Sequence, residues 1–248
     1  AAGVYDPGSV TLRTLFSGNN YISMLIIAFD ADDTLWVNEP YFRESEEEFA
    51  ALFEDFLPQH QTQQELFKTE MDNLTLYGYG VKGFMLSMVE TAVRITGGAL
   101  SAEGTARILD IGKHLLAREN ELLEGVEEVL STLSAKYRLV VATKGDLLDQ
   151  ERKLRQSGLE KYFHHIEIMS DKRSADYLKL IKHLDIAPNQ FMMVGNSLKS
   201  DIIPVLEIGG HGVHVPFHTT WAHEVVSHPV VHPQFREVGQ LADILEFL

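Results

Sequence analysis

The 248-residue sequence contains no cysteine. This absence excludes disulfide bonds, thiolate nucleophiles and zinc sites with cysteine ligands. Long apolar runs are also missing, since the first one, residues 24–29, is far shorter than the roughly 18 residues that span a bilayer. The chain does not open with a basic flank followed by an apolar segment, so we expect no retained signal peptide and a cytoplasmic protein.

Positive charge is scarce, because 21 basic residues stand against 36 acidic residues and the formal net charge is −15. Such a field repels phosphate backbones, so we predict that the protein has no nucleic-acid partner. No apolar segment points to a membrane partner either. The apolar fraction of 45% is ordinary for a globular protein, and the length suits one large domain or two smaller ones.

Short apolar runs and segments with helical spacing alternate along much of the chain. The runs typical of buried strands are residues 25–29, 138–143, 165–169, 191–195 and 212–215. The segments with helical spacing are residues 126–137, 147–157, 175–183 and 200–208. This alternation predicts an α/β fold with a mostly parallel sheet covered by helices.

Residues 39–119 interrupt the alternation, because they contain no convincing strand. They predict three or four helices instead, at about residues 41–57, 63–76, 81–96 and 102–119. An insert of about eighty residues is too long for a loop, so we expect an all-helical second domain above the sheet. The α/β core then comprises residues 24–38 and 120–248. Residues 1–23 are expected to be an N-terminal extension, with an edge strand at residues 9–16 as the alternative.

Polar side chains follow four of the predicted strands, where ligands bind in open α/β sheets. They are Asp30 and Asp32, then Thr143 and Lys144, then Lys172, and finally Asn196 and Asp201. Carboxylates without nearby histidine or cysteine favour Mg²⁺. The Thr143 hydroxyl and the Lys172 ammonium could hold phosphoryl oxygens beside such an ion. Each residue alone could be a turn, cap or surface residue, but their joint occurrence favours a site.

These residues form motifs that resemble the haloacid dehalogenase-like hydrolase superfamily. With h for a hydrophobic and x for any residue, the matches are hhhhDxDDT ending at Thr34, hhhhT ending at Thr143, the lysine Lys172, and hhhhGNSxxSD ending at Asp201. The resemblance implies a Rossmann-like core with strand order 5-4-1-2-3. It also implies that the helical insert is a cap domain of the C1 group.

The resemblance further implies a role for each matched residue. Asp30 would be the nucleophile that forms an aspartyl-phosphate, and Asp32 would be the general acid and base. The cofactor Mg²⁺ would be held by Asp30, by the backbone carbonyl of Asp32 and by Asp201. Thr143 and Lys172 would bind the phosphoryl oxygens.

Two further residues are weaker candidates. Asn196 stands where many members of the superfamily carry aspartate, so it could accept a hydrogen bond from a metal-bound water without adding charge. Asn196 and Lys144 are also candidates for substrate binding.

The implied function is Mg²⁺-dependent hydrolysis of a small phosphorylated metabolite by a monomer or homodimer. Asp32 favours this phosphatase chemistry, because an alkoxide leaving group benefits from a proton donor and a halide does not. A sugar phosphomutase of the same superfamily and a noncatalytic phospho-acceptor protein are the alternatives.

Six of the 11 histidines fall between residues 211 and 232. They are His211, His214, His218, His223, His228 and His232. Because prolines make this stretch irregular, we interpret them as solvated or structural histidines rather than a zinc site.

Overall fold

The computed structural model describes residues 25–248 and contains one six-stranded parallel sheet. The strands are β1 Ile26–Phe29, β2 Arg138–Lys144, β3 His165–Met169, β4 Phe191–Gly195, β5 His211–His214 and β6 Phe235–Glu237. Their order across the sheet is β3-β2-β1-β4-β5-β6. The parallel α/β fold and the order expected for the first five strands are therefore confirmed. The alternative strand at residues 9–16 lies outside the described residues.

The α-helices flank the sheet and fill the insert between β1 and β2. They are α1 Glu39–Ala51, α2 Gln59–Tyr77, α3 Val81–Ile95, α4 Ala102–Ala117, α5 Val126–Ser134, α6 Leu147–Ser157, α7 Ser174–His183 and α8 Ile203–Glu207. Between residues 25 and 248, none of them combines the length and the apolar character that crossing a bilayer requires.

The strands are apolar on both sides because helices cover both faces of the sheet. Ile27 and Phe29 of β1 belong to an apolar cluster with the buried side of α5. Ile26 and Ala28 of the same strand belong to a second cluster with α7 and α8. Alternate residues of a strand point to opposite faces, so a continuous apolar run serves both clusters.

Helices α1 to α4 pack around an apolar cluster of their own. Its buried members are Phe49, Phe53, Leu66, Phe84, Met88, Ala92, Ile108 and Ile111. This separate cluster agrees with the expectation of an all-helical insert, whereas the domain boundaries drawn from the sequence stay predictions.

The helix expected at residues 200–208 is interrupted. A π-helical turn, Leu198–Ile202, precedes α8, which contains Pro204. Proline has no N–H to donate to the carbonyl four residues earlier, that of Ser200. The Tyr177 hydroxyl donates to that carbonyl instead, at 3.0 Å.

The sequence analysis missed β6. This strand has only three residues, and Arg236 and Glu237 within it are exposed. It pairs with β5 from Gly212 to His214. A short polar edge strand carries no apolar run, so its position depends on the neighbouring strand rather than on its own pattern.

We expect Ile27→Ala to lower the free energy of unfolding by about 2–5 kcal/mol, because it leaves a cavity beside the central strand. Ile27 has no exposed surface and lies between β2 and β4. Leu148→Ala is the control, since Leu148 is 66% exposed and its truncation should cost less than about 0.5 kcal/mol. Urea denaturation of both variants measures these values, and equal effects would contradict this description of the core.

Candidate active site

A cavity of about 180 Å³ lies between the carboxyl edge of the sheet and the helical insert. All seven residues that the sequence analysis selects line it: Asp30, Asp32, Thr143, Lys144, Lys172, Asn196 and Asp201. They meet there because parallel strands place their carboxyl ends at one edge of the sheet.

The loop after β1 turns sharply into the insert. Asp33 adopts a left-handed backbone conformation with φ of 60°, which aspartate tolerates better than most residues. Its carboxylate accepts hydrogen bonds from the backbone N–H of Asn38 at 2.8 Å and of Glu39 at 3.0 Å. The same aspartate therefore ends the loop and holds the first turn of α1.

Lys172 lies between two buried carboxylates at the floor of the cavity. Its ammonium donates to Asp30 Oδ1 and, at 2.6 Å, to Asp201 Oδ1. Burial raises the pKa of Asp30 to about 7 against the opposing effect of Lys172. Burial also works against the charge of Lys172, but Asp201 and Asp30 outweigh it and raise its pKa to about 12. The lysine is therefore a fixed positive charge beside Asp30.

Asp201 is held against the end of β4. Its Oδ2 accepts from the backbone N–H of Ser197 at 3.0 Å. A Cβ atom at position 195 would lie 2.2 Å from this oxygen, so only glycine fits there. Gly195 is therefore needed for the carboxylate to reach Lys172.

Oxygen atoms converge next to Asp30. One terminal atom of the Asn196 amide lies 3.2 Å from Asp30 Oδ2 and 3.2 Å from the carbonyl oxygen of Asp32. If this atom is nitrogen, it donates to both oxygens. The Asp30 carboxylate oxygen and the Asp32 carbonyl oxygen both lie next to this atom, and both are oxygens of the kind that bind Mg²⁺.

This donor set fits a hard divalent cation. In the part of the chain that the structure describes, no three His, Asp or Glu side chains come together as a metal site. A cation here would therefore use the Asp32 carbonyl and the Asn196 amide besides Asp30. The two side-chain oxygens of Asp201 accept hydrogen bonds from Lys172 and from the backbone N–H of Ser197.

Asp32 has a different environment from Asp30. Lys153 Nζ and Trp36 Nε1 each donate to its Oδ1 at 2.7 Å. Gln150 Nε2 donates to its Oδ2, also at 2.7 Å. Burial favours the neutral carboxyl, but Lys153 and these hydrogen bonds outweigh it and lower the pKa of Asp32.

Thr143 and Lys144 line the cavity next to each other. Thr143 is 2% exposed at the end of β2. Lys144 Nζ donates to Glu224 at 2.7 Å and to Ser200 at 2.8 Å, and it lies 4.1 Å from the centre of the Tyr79 ring. Burial raises the pKa of Glu224, but Lys144 and the serine hydroxyls outweigh it and lower that pKa to about 2. The charge of Lys144 is therefore already paired within the protein.

Sequence reasoning missed Gln150, Lys153 and Glu224. Gln150 and Lys153 lie three residues apart on α6, so they share one helix face directly after the Thr143 motif. Glu224 belongs to an irregular C-terminal segment, and its approach to the cavity has no signal in the sequence.

The six histidines between residues 211 and 232 do not gather at the cavity. His214 is 8% exposed and contacts Glu237 at 2.8 Å and the Asn196 carbonyl at 3.0 Å. His211 and His232 make backbone contacts to Asn189 and Gln234 respectively. His214 thus supports the loop after β4, which carries Asn196.

The wall of the cavity that the insert provides is acidic and aromatic. Glu39, Glu46 and Glu70 line it together with Phe42 and Phe84. Burial raises the pKa of Glu70 to about 8, and the charges of Glu46 and Glu39 add to this effect.

Glu70→Gln is expected to stabilise the protein at high pH. The folded protein binds the proton of the Glu70 carboxyl group more tightly than the unfolded chain does, because the pKa of Glu70 in the folded protein lies above the ordinary value of 4.5. The contribution of this proton binding to the free energy of unfolding is thus complete below about pH 4.5, and it is lost as the pH rises through about 8. Glutamine stays neutral, so the melting temperature of the variant should exceed that of the wild type by on the order of 2–4 °C near pH 9 and by less near pH 5.

The exposed Glu47 on the same helical insert provides the control. Glu47→Gln removes the same charge from an exposed position, so its effect on the melting temperature near pH 9 should be much smaller than that of Glu70→Gln. A Glu70→Gln effect that is equally large near pH 5 and near pH 9 would contradict the raised pKa.

Comparisons with known proteins agree with the fold and the motifs. A family model described as haloacid dehalogenase-like hydrolase matches residues 24–209. No curated protein matches the chain significantly.

Solved structures resemble the chain over nearly its whole length. A haloacid dehalogenase-like family hydrolase from Xanthomonas campestris is 37% identical, has a TM-score of 0.80 and is matched over 90% of this chain and 91% of that chain. A predicted phosphoglycolate phosphatase from Haemophilus somnus is 20% identical, with a TM-score of 0.61 and coverage of 90% and 97%. A 2-haloacid dehalogenase from Pseudomonas syringae is 17% identical, with a TM-score of 0.57 and coverage of 91% and 98%.

The last two similarities concern the fold alone, since these proteins are only 20% and 17% identical to this chain. The family model and the 37% identical hydrolase extend to the sequence itself. This chain therefore belongs to the haloacid dehalogenase-like hydrolases.

Proposed function

We propose that the protein hydrolyses a small phosphomonoester through an aspartyl-phosphate intermediate. The observation that carries this proposal is the pairing of Asp30, held beside the buried Lys172, with a second carboxylate, Asp32, on the same cavity. A nucleophile next to a fixed positive charge suits attack on a phosphoryl group, because the charge that develops on the phosphoryl oxygens is stabilised.

In the first step, an oxygen of Asp30 attacks phosphorus and the bond to the leaving-group oxygen breaks. Lys172 neutralises charge on the phosphoryl oxygens, and the Thr143 hydroxyl at the neighbouring strand end donates to them. Asp30, the Asp32 carbonyl, Asn196 and Asp201 would hold Mg²⁺. When bound, Mg²⁺ supplies electrostatic stabilisation of the transferring phosphoryl group.

Asp32 would then act as general acid and general base. It protonates the leaving oxygen and later accepts a proton from the water that hydrolyses the intermediate. A carbon–halogen bond needs no such donor, so Asp32 favours phosphate ester hydrolysis over dehalogenation. The dehalogenase relative does not oppose this proposal, because a 17% identical neighbour shares only the fold.

Helices α1 to α4 would act as a cap of the C1 type that closes over the substrate. Their side chains form one wall of a cavity of about 180 Å³, which suits a small metabolite and not a large polyanion. The net charge of −15 also disfavours a polyanionic substrate. The cytoplasmic location and the monomeric or dimeric state stay predictions.

Asp30→Asn tests the proposal directly. We expect it to lower Mg²⁺-dependent phosphate release from an aryl phosphate by on the order of 10³-fold or more, because the nucleophile is lost. Asp55→Asn is the control, since Asp55 is exposed on the insert and outside the cavity. A chelator should abolish activity of the wild type, and added Mg²⁺ should restore it.

Parallel assays separate the alternative reactions. Halide release from a 2-haloacid that Asp30→Asn abolishes would identify a dehalogenase instead. A transferred phosphoryl group on a sugar, without free phosphate, would identify a mutase. A stable phosphorylated Asp30 without turnover would identify a phospho-acceptor protein. Phosphate release that survives Asp30→Asn would overturn the proposed mechanism.

A further inference from the structure

The carboxylate of Asp32 is held by three donors at equal distances. Lys153 Nζ and Trp36 Nε1 donate to Oδ1, each at 2.7 Å. Gln150 Nε2 donates to Oδ2 at 2.7 Å. Two of the donors come from α6, which begins directly after the strand end that carries Thr143.

The three donors leave the two oxygens of Asp32 unequal. A carboxylate oxygen has two lone pairs, so Oδ1 is fully used by Lys153 and Trp36. Oδ2 accepts only from Gln150 among the described residues and keeps one lone pair. The side chain of Asp32 is 23% exposed and lines the cavity. Among the described contacts, Oδ2 is therefore the oxygen of Asp32 with a lone pair left for a bound substrate.

The donors are themselves fixed. Lys153 Nζ also donates to Asn38 Oδ1 at 2.8 Å, at the start of the insert. Gln150 Nε2 also donates to the Lys144 carbonyl at 2.9 Å, and Gln150 is buried, with 5% of its surface exposed. Trp36 has no exposed surface. Each donor is thus anchored at a second point, so the carboxylate cannot rotate without breaking several contacts.

We propose that Lys153 and Gln150 are positioning residues that present Oδ2 of Asp32 to the reacting oxygen in both steps of catalysis. This inference rests on the proposed phosphatase function. In the first step, the leaving oxygen takes the proton from Oδ2 as its bond to phosphorus breaks and the bond from Asp30 to phosphorus forms. In the second step, a water gives its proton to Oδ2 as its oxygen bonds to phosphorus and the bond to Asp30 breaks.

The two steps respond differently to the leaving group. A 4-nitrophenyl group leaves without a proton, so the first step of its phosphate ester does not need Asp32. The second step always needs a base. A variant with a misplaced Asp32 should therefore still form the phosphorylated enzyme from 4-nitrophenyl phosphate but hydrolyse it slowly.

The experiment compares Lys153→Met, Gln150→Leu and Lys153→Arg with the wild type on 4-nitrophenyl phosphate in the presence of Mg²⁺. For the first two variants we expect a rapid burst of about one 4-nitrophenol per enzyme. We also expect a steady-state kcat that is lower by roughly tenfold or more, with KM changed less than about twofold. With an alkyl phosphate, the first turnover should slow as well. Arginine can replace the donor of Lys153 and should restore part of the loss.

Arg155→Met is the matched control, since it removes an exposed positive charge from the same helix two residues away. The proposal is overturned if Lys153→Met and Gln150→Leu behave like this control. It is also overturned if the two variants raise KM without lowering kcat, because that result indicates a role in substrate binding. An equal fall of the burst and of the steady-state rate would overturn it too, because that result indicates a general structural loss. Failure of the proposed function looks different, because the wild type would then release no phosphate.

Discussion

The site depends on one buried charge arrangement, in which the ammonium of Lys172 lies between the carboxylates of Asp30 and Asp201. Removing three charges from water is costly, so each needs a partner at hydrogen-bond distance. Two negative charges and one positive charge leave a net charge of −1. This imbalance and the burial keep Asp30 poorly stabilised as an anion, which is the condition that a divalent cation at the converging oxygens would relieve.

The parallel sheet provides the geometry for this arrangement. Asp30 follows β1, Lys172 follows β3 and Asp201 follows β4, and these strands end at the same edge. The close approach of Asp201 also requires the absence of a side chain at Gly195. Apolar packing on both faces of the sheet therefore determines where the charged groups can meet.

Asp32 shows how two carboxylates two residues apart acquire opposite properties. Asp30 faces the buried centre, where burial raises its pKa. Asp32 faces α6, where Lys153 and Gln150 stabilise its charged form despite burial. The turn after β1 therefore places the two carboxylates in separate environments, although only one residue lies between them.

The sequence by itself determined the parallel α/β core, the helical insert and seven of the residues that line the cavity. It could do so because apolar runs specify buried strands, and the residues after such strands must lie at one edge of the sheet. Only the tertiary structure decided the roles of Lys153, Gln150 and Glu224, and the position of β6. The contacts of the three side chains join residues that are far apart in the chain, and β6 is placed by hydrogen bonds to the neighbouring strand. Neither kind of contact leaves a local pattern of hydrophobicity or spacing that would predict it.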